Sequence, residues 1–199
     1  MQVIQKNKTG NDSHIVSFCI REDQIGDSAV VEMGGENKIT LAQLCNKLAR
    51  YVLCKLERMD QPIENCYLIE DSDITSSCER ALNLGSNLVI ILRIIKSDDD
   101  EFTTYSFNNN PLGLQLCESL NERFACLEPL RVKETVVKNK VTDNENVVVV
   151  CATITCGYYL MKVLNNEDSV DMIIEKIIDA LSYGIQEGYL EKKGSIEDA

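Results

Sequence analysis

Over residues 14–95 the patterning runs strand, strand, helix, strand, strand, and this order predicts an α+β protein whose N-terminal part is a ubiquitin-like β-grasp. Two observations carry the prediction. Residues 39–58, ITLAQLCNKLARYVLCKLER, place Leu41, Leu44, Cys45, Leu48, Tyr51 and Val52 at three- and four-residue steps, with Lys47, Arg50 and Glu57 on the other side, as an amphipathic helix requires. Around it stand short apolar runs, HIVSFCIRE and SAVVEM before and NCYLIE and NLVIILRII after. The remainder, residues 102–190, predicts a second α/β half of mixed or antiparallel strands and two helices.

Taken in order, His14 to Arg21 is the first strand, and Asp23, Gly26 and Asp27 supply turn chemistry after it. Ala29 to Met33 is the second strand. Thr40 with Gln43 forms a capping-box start for the helix, which ends before Asp60 to Pro62. Cys66 to Ile69 is a strand, and EDSDITSSCERAL is a loop with at most one helical turn. Leu88 to Ile95, apolar except for Arg93 and rich in β-branched residues, is a buried central strand. The charge run KSDDDE at 96–101 marks a boundary between domains at 14–95 and 102–190, or equally a solvated loop.

Past it, Phe102 to Phe107 reads as a short strand. Asn108-Asn109-Asn110-Pro111 opens a helix with the stripe Leu112, Leu116, Leu120 and Phe124. Residues 131–164, RVKETVVKNKV and VVVVCATITCGYYLMKVL separated by turn residues, predict two or three antiparallel strands. Asp168 or Ser169 caps a last helix, Val170 to Tyr183. The second half repeats the strand, strand, helix order of the first, so it forms a subdomain of its own or shares one sheet with it; two subdomains are expected. Residues 1–13 and 191–199 are polar and are expected to be flexible termini.

Composition narrows the function. A net charge of -12 and a pI near 4.6 disfavour nucleic acid and anionic membranes as partners. Residues 1–95 carry 10 basic and 13 acidic side chains, residues 96–199 carry 10 and 19, so a basic docking face belongs to the first half. The 9 cysteines form no CxxC pair and His14 is the sole histidine, which predicts no metal and no cofactor. Several cysteines stand in apolar runs and read as small buried hydrophobes. The polar N-terminus and the lack of a membrane-spanning apolar stretch predict a cytoplasmic protein without membrane insertion.

Catalytic signatures are missing as well. One histidine leaves little for a nucleophile and base pair, and no phosphate-binding loop or EF-hand spacing occurs. The expected function is a non-enzymatic protein–protein interaction adaptor, with Arg21, Lys38, Lys47 and Arg50 as a basic rim beside an open strand edge. The alternative is an assembly factor, chaperone-like protein or structural subunit whose Val147 to Val163 strands are covered in a homo- or hetero-oligomer. A third reading is an enzyme with a cysteine nucleophile, marked by a thiol of unusual reactivity.

Residues 64–95, with the strand Cys66 to Ile69, the acidic loop and Leu84-Gly85-Ser86 leading into Leu88 to Arg93, resemble the ubiquitin-like Ras-binding domain of engulfment-and-motility (ELMO) scaffold proteins. Counting the helix after NNNP, the resemblance covers residues 14–124. It implies binding of an activated small GTPase and a scaffolding role without catalysis. It also puts Arg21, Lys38, Lys47 and Arg50 where such domains present basic residues.

Overall fold

A computed structural model describes residues 2–5, 14–21, 30–33, 37–59, 63–71, 73–139, 141–142, 144 and 146–190. Its first part contains strands β1 (Gln2–Gln5), β2 (His14–Arg21), β3 (Val30–Met33) and β4 (Asn37–Thr40), helix α1 (Leu41–Leu56), strand β5 (Ile63–Asp71), helix α2 (Ile74–Asn83) and strand β6 (Leu88–Lys96). There follow β7 (Glu101–Phe107), α3 (Pro111–Phe124), β8 (Arg131–Val132), β9 (Val136–Lys138), β10 (Val148–Cys156), α4 (Tyr158–Leu164), α5 (Glu167–Ile185) and a π-helical stretch, Gln186–Leu190. Eight strands form one mixed sheet in the order β1-β5-β2-β6-β10-β7-β8, with β9 also on β7, while β3 and β4 pair with each other apart from it. The spans 14–95 and 102–190 thus share a sheet.

This is not a β-grasp. β2 lies inside the sheet, parallel to β5 on one side and to β6 on the other, and the expected second strand, Ala29 to Met33, is β3, which pairs with β4 apart from that sheet instead of forming its edge. The reason is α2, read from the sequence as a loop. Asp73 caps it through the Ser76 amide at 2.9 Å, and Cys78 and Ala81 face the core. With helices between β2 and β5 and between β5 and β6, parallel crossovers replace the hairpins of a roll. The expected antiparallel strands of 131–164 are corrected in part: β10 runs antiparallel to β7 but parallel to β6, β8 and β9 run parallel to β7, and YYLMKVL is helix α4.

Other elements form as their residues dictate. Thr40 and Gln43 make the reciprocal capping box of α1. Asn110 caps α3 and Pro111 occupies its first position, where a missing N–H costs nothing. Asn166, rather than Asp168 or Ser169, caps α5.

One face of the sheet carries most of the core. Leu44, Leu48 and Val52 of α1, Leu116, Leu120 and Phe124 of α3, and Ile173, Ile177 and Leu181 of α5 meet the alternate residues Leu88, Ile90, Leu92 and Ile94 of β6. Phe102 stacks on Phe124 with ring centroids 3.6 Å apart. The other face presents Val89 and Ile91 to a smaller cluster with Cys78 and Ala81 of α2. Asn87 knits the amino ends: its side chain accepts from the Ile15 amide at 2.9 Å, and its carbonyl accepts from Val148 N–H at 3.0 Å and from the Tyr189 hydroxyl at 3.1 Å.

Candidate functional site

Because β5, β2, β6 and β10 are mutually parallel, their carboxyl ends, from Asp71 through Arg21 and Lys96 to Cys156, finish along one edge. Open α/β sheets bind ligands outside this edge, near where successive connections run in opposite directions. Here β2 leads by way of α1 to β5 on one side, and β6 leads on towards β10 on the other.

A pocket of about 460 Å³ lies over the ends of β6 and β10. Lys96, Ser97, Asp98, Tyr158, Lys162 and Asn165 supply its polar lining, with Cys156, Gly157 and Met161 beneath. Lys96 and Lys162 are exposed and bring two cations to one rim of an acidic chain. Tyr158, 70 % exposed, stands at the mouth, with Tyr159 edge-on to it at 5.2 Å.

Asp100 builds this corner. It is 7 % exposed and its carboxylate accepts three backbone N–H bonds, from Gly157 at 2.7 Å, Tyr159 at 3.0 Å and Leu160 at 2.9 Å. These are the orphan donors at the start of α4, so the acid satisfies the helix end that an anionic ligand would otherwise seek. Positive charge for a ligand comes instead from the two lysines. Gly157 lets the loop close: a Cβ there would lie 2.7 Å from the backbone carbon of Asp99 and 2.9 Å from the Asp100 nitrogen.

Nucleophile chemistry by thiol finds no support here. Burial, and then the Asp100 carboxylate, push the Cys156 thiol up to about 12. At pH 7 only about one such thiol in 10⁵ is a thiolate. Burial likewise raises Cys78 to about 11 and Cys117 to about 12, and lifts Cys45 further. His14 is at the amino end of β2, the opposite end of the sheet from the pocket. Among the described residues no group of three or more His, Cys, Asp and Glu side chains could hold a metal ion, so this donor set does not fit one.

The expected rim residues do not gather at this pocket. Lys47 and Arg50 are exposed on α1, where Lys47 sits over the Tyr51 ring at 5.9 Å and Arg50 Nε donates to Asn46 at 2.6 Å. Lys38 is on β4 and Arg21 ends β2. Sequence reasoning missed the pocket because its two walls were read as a domain boundary and a strand. The usable signal was Gly157 ending a β-branched run ahead of an apolar stretch of helical length.

The fold, a mixed sheet between helices, is shared with solved structures of N-acetylmuramoyl-L-alanine amidases. Amidase AmiC2 of Nostoc punctiforme superimposes with a TM-score of 0.61 at 12 % identity, over 89 % of this chain and 99 % of that one. The catalytic domain of CwlV from Bacillus (Paenibacillus) polymyxa var. colistinus gives 0.59 at 16 % identity, over 86 % and 96 %. The CwlD amidase of Clostridioides difficile, solved in complex with the GerS lipoprotein, gives 0.53 at 12 % identity, over 88 % and 98 %. No protein-family model and no curated protein matches the chain.

These likenesses correct the sequence reading. The fold is not that of an ELMO-type Ras-binding domain, and the GTPase-binding role implied by that resemblance goes with it. The expected non-enzymatic adaptor, with a chaperone-like or structural subunit as its alternative, is corrected with it: it rested on a β-grasp that this sheet does not form, and the solved structures sharing the fold are amidases.

Proposed function

We propose that the chain hydrolyses an amide bond in an anionic ligand of the muramoyl-peptide kind, held in the pocket over β6 and β10. What supports this reading above all is the place of that pocket, at the carboxyl edge of a sheet whose fold is shared with amidases. Its volume of about 460 Å³ suits a soluble fragment rather than a polymer. Lys96 and Lys162 attract the ligand's carboxylates, and the open face of Tyr158 offers a platform for a sugar ring.

Asp98 is the carboxylate lining the pocket and takes the role of general base. It removes a proton from water as the water oxygen attacks the carbonyl carbon, a lysine ammonium balances the oxyanion, and the proton passes to the amine as the C–N bond breaks. A base contributes about 10²–10⁴ in rate and an oxyanion donor about 10²–10³, so a slow hydrolase is expected.

The nine free thiols, eight of them at least partly buried, support a reducing, cytoplasmic setting as part of this proposal. The lipoprotein bound to CwlD supports a protein partner for this chain as well; neither a small GTPase nor an oligomer has such support.

The test is to incubate the purified chain with an N-acetylmuramoyl-L-alanine peptide and follow the new amine. Asp98→Asn should lower kcat about 10²-fold, and the double variant Lys96→Ala/Lys162→Ala should raise KM and lower kcat. Wild type releasing no more amine than Asp98→Asn would end the proposal.

A further inference from the structure

We infer that the opposite, α2-bearing face of the sheet carries a binding site for a small oxyanion, centred on the guanidinium of Arg93. Alternation along β6 puts Arg93 on the same face as Val89 and Ile91. It is partly buried, and its Nε is buried with no hydrogen-bond partner. Among the described residues no carboxylate pairs with it, although the chain carries 32 acidic side chains against 20 basic ones. On the β7 side of this face, the acid two strands away, Glu101, is already taken by Lys133 at 2.9 Å and Arg131 at 3.6 Å.

A guanidinium inside a fold normally finds an acid, because leaving its charge and its donors unmet opposes folding. Among the described residues Arg93 has none, in a chain with acid to spare, which is what an arginine reserved for a ligand looks like. Its neighbours fit that use. The register aligns Arg93 with Thr153 of β10 and Thr153 with Thr103 of β7, a row of one fork and two hydroxyls across the sheet. One step beyond the last paired positions of β2 and β6, Ile20 and Leu92, the backbone of Arg21 comes alongside that of Arg93. The row lies near the carboxyl ends of the parallel strands, towards the edge where such sheets receive ligands. A planar fork with hydroxyl donors matches the oxygens of a carboxylate or a phosphate.

The full chain is titrated with inorganic phosphate and, separately, with acetate, against sodium chloride at matched ionic strength, reading the Arg93 Nε–H resonance and the thermal midpoint. A saturable shift that chloride does not give is expected, with affinity lowered at least tenfold in Arg93→Gln and by a smaller factor in Thr153→Val. Arg93→Lys keeps the charge and loses the fork, so it covers the case of a Gln variant that fails to fold; affinity between wild type and the Gln variant is expected. Saturation by phosphate alone assigns a phosphate group, and competition by acetate assigns a carboxylate. No saturable response to either anion, or equal affinity in wild type and both Arg93 variants, overturns the inference.

Discussion

The two faces of the sheet are covered unequally. On one, α1, α3 and α5 bury leucine, isoleucine and phenylalanine against β6 and β10. On the other, α2 contributes Cys78 and Ala81 fully and Ile74 and Leu82 partly. A sheet buried on both faces needs apolar side chains on both, and β6 supplies them for all but one position before its last two, Arg93. The thick face therefore holds the molecule together, while the thin one can hold polar groups in place near the carboxyl edge of the sheet.

The largest expected effect is alkaline. Cys117 and Cys156 on the thick face and Cys78 on the thin one have pKa values raised to about 12, 12 and 11 in the folded chain, chiefly by burial. A thiol whose pKa is higher folded than unfolded favours folding in full below the unfolded value of about 8.5, and that contribution is lost as pH rises towards the folded value. Each thiol contributes a slope of up to about 1.4 kcal/mol per pH unit, so three together would use up a marginal stability of about 5–15 kcal/mol within a few units. Urea unfolding measured from pH 8 to 11 should show this fall. Cys117→Ala should flatten it more than Cys78→Ala, and the reverse order would contradict the inequality of the faces.

Next comes packing itself. Leu48→Ala in α1 removes a side chain with 0 % exposure and should cost about 3–4 kcal/mol. Leu82→Ala in α2, where the leucine is only partly buried, should cost about 1 kcal/mol. Denaturant midpoints at constant slope give both values. Equal costs would mean that the thin face contributes as much as the thick one.

The same inequality explains what the sequence made legible. α1 could be placed from its stripe and its capping box, α3 from Asn110-Pro111, and β6 from its apolar run, because each is long and strongly patterned. α2 was lost because the small side chains Ser77, Cys78 and Ala81 suffice against a thin layer and give little apolar period. That one helix decides between a roll and a parallel sheet, so the fold class failed with it. α4 was lost for another reason: Tyr158, Tyr159 and Val163 favour strands, and the long-range bonds that its first-turn N–H groups donate to Asp100 leave no local trace in the sequence. The candidate pocket joins that helix to residues 96–98, some 60 residues earlier in the chain, a pairing that the local signal at Gly157 could not reveal.

The smallest effect concerns the seam at which the C-terminal stretch meets α3 on the thick face. Arg123 and Glu187 form an ion pair there, and its partner raises the Arg123 pKa, yet the side chains are 43 % and 38 % exposed. Solvent screening at such exposure leaves a pair worth about 0.5 kcal/mol or less. Close backbone approach holds the seam more firmly: a Cβ on Gly188 would lie 2.9 Å from Leu116 Cα, and one on Gly184 would lie 3.2 Å from Leu120 Cα. Glu187→Gln should therefore change stability by no more than about 0.5 kcal/mol, and less still in 1 M salt. Gly188→Ala should cost about 1–3 kcal/mol by forcing the two elements apart. If the charge substitution proved the more costly of the two, the thick face would owe its cohesion at this seam to electrostatics, and the contrast with the thin face would have to be drawn on charge rather than on packing.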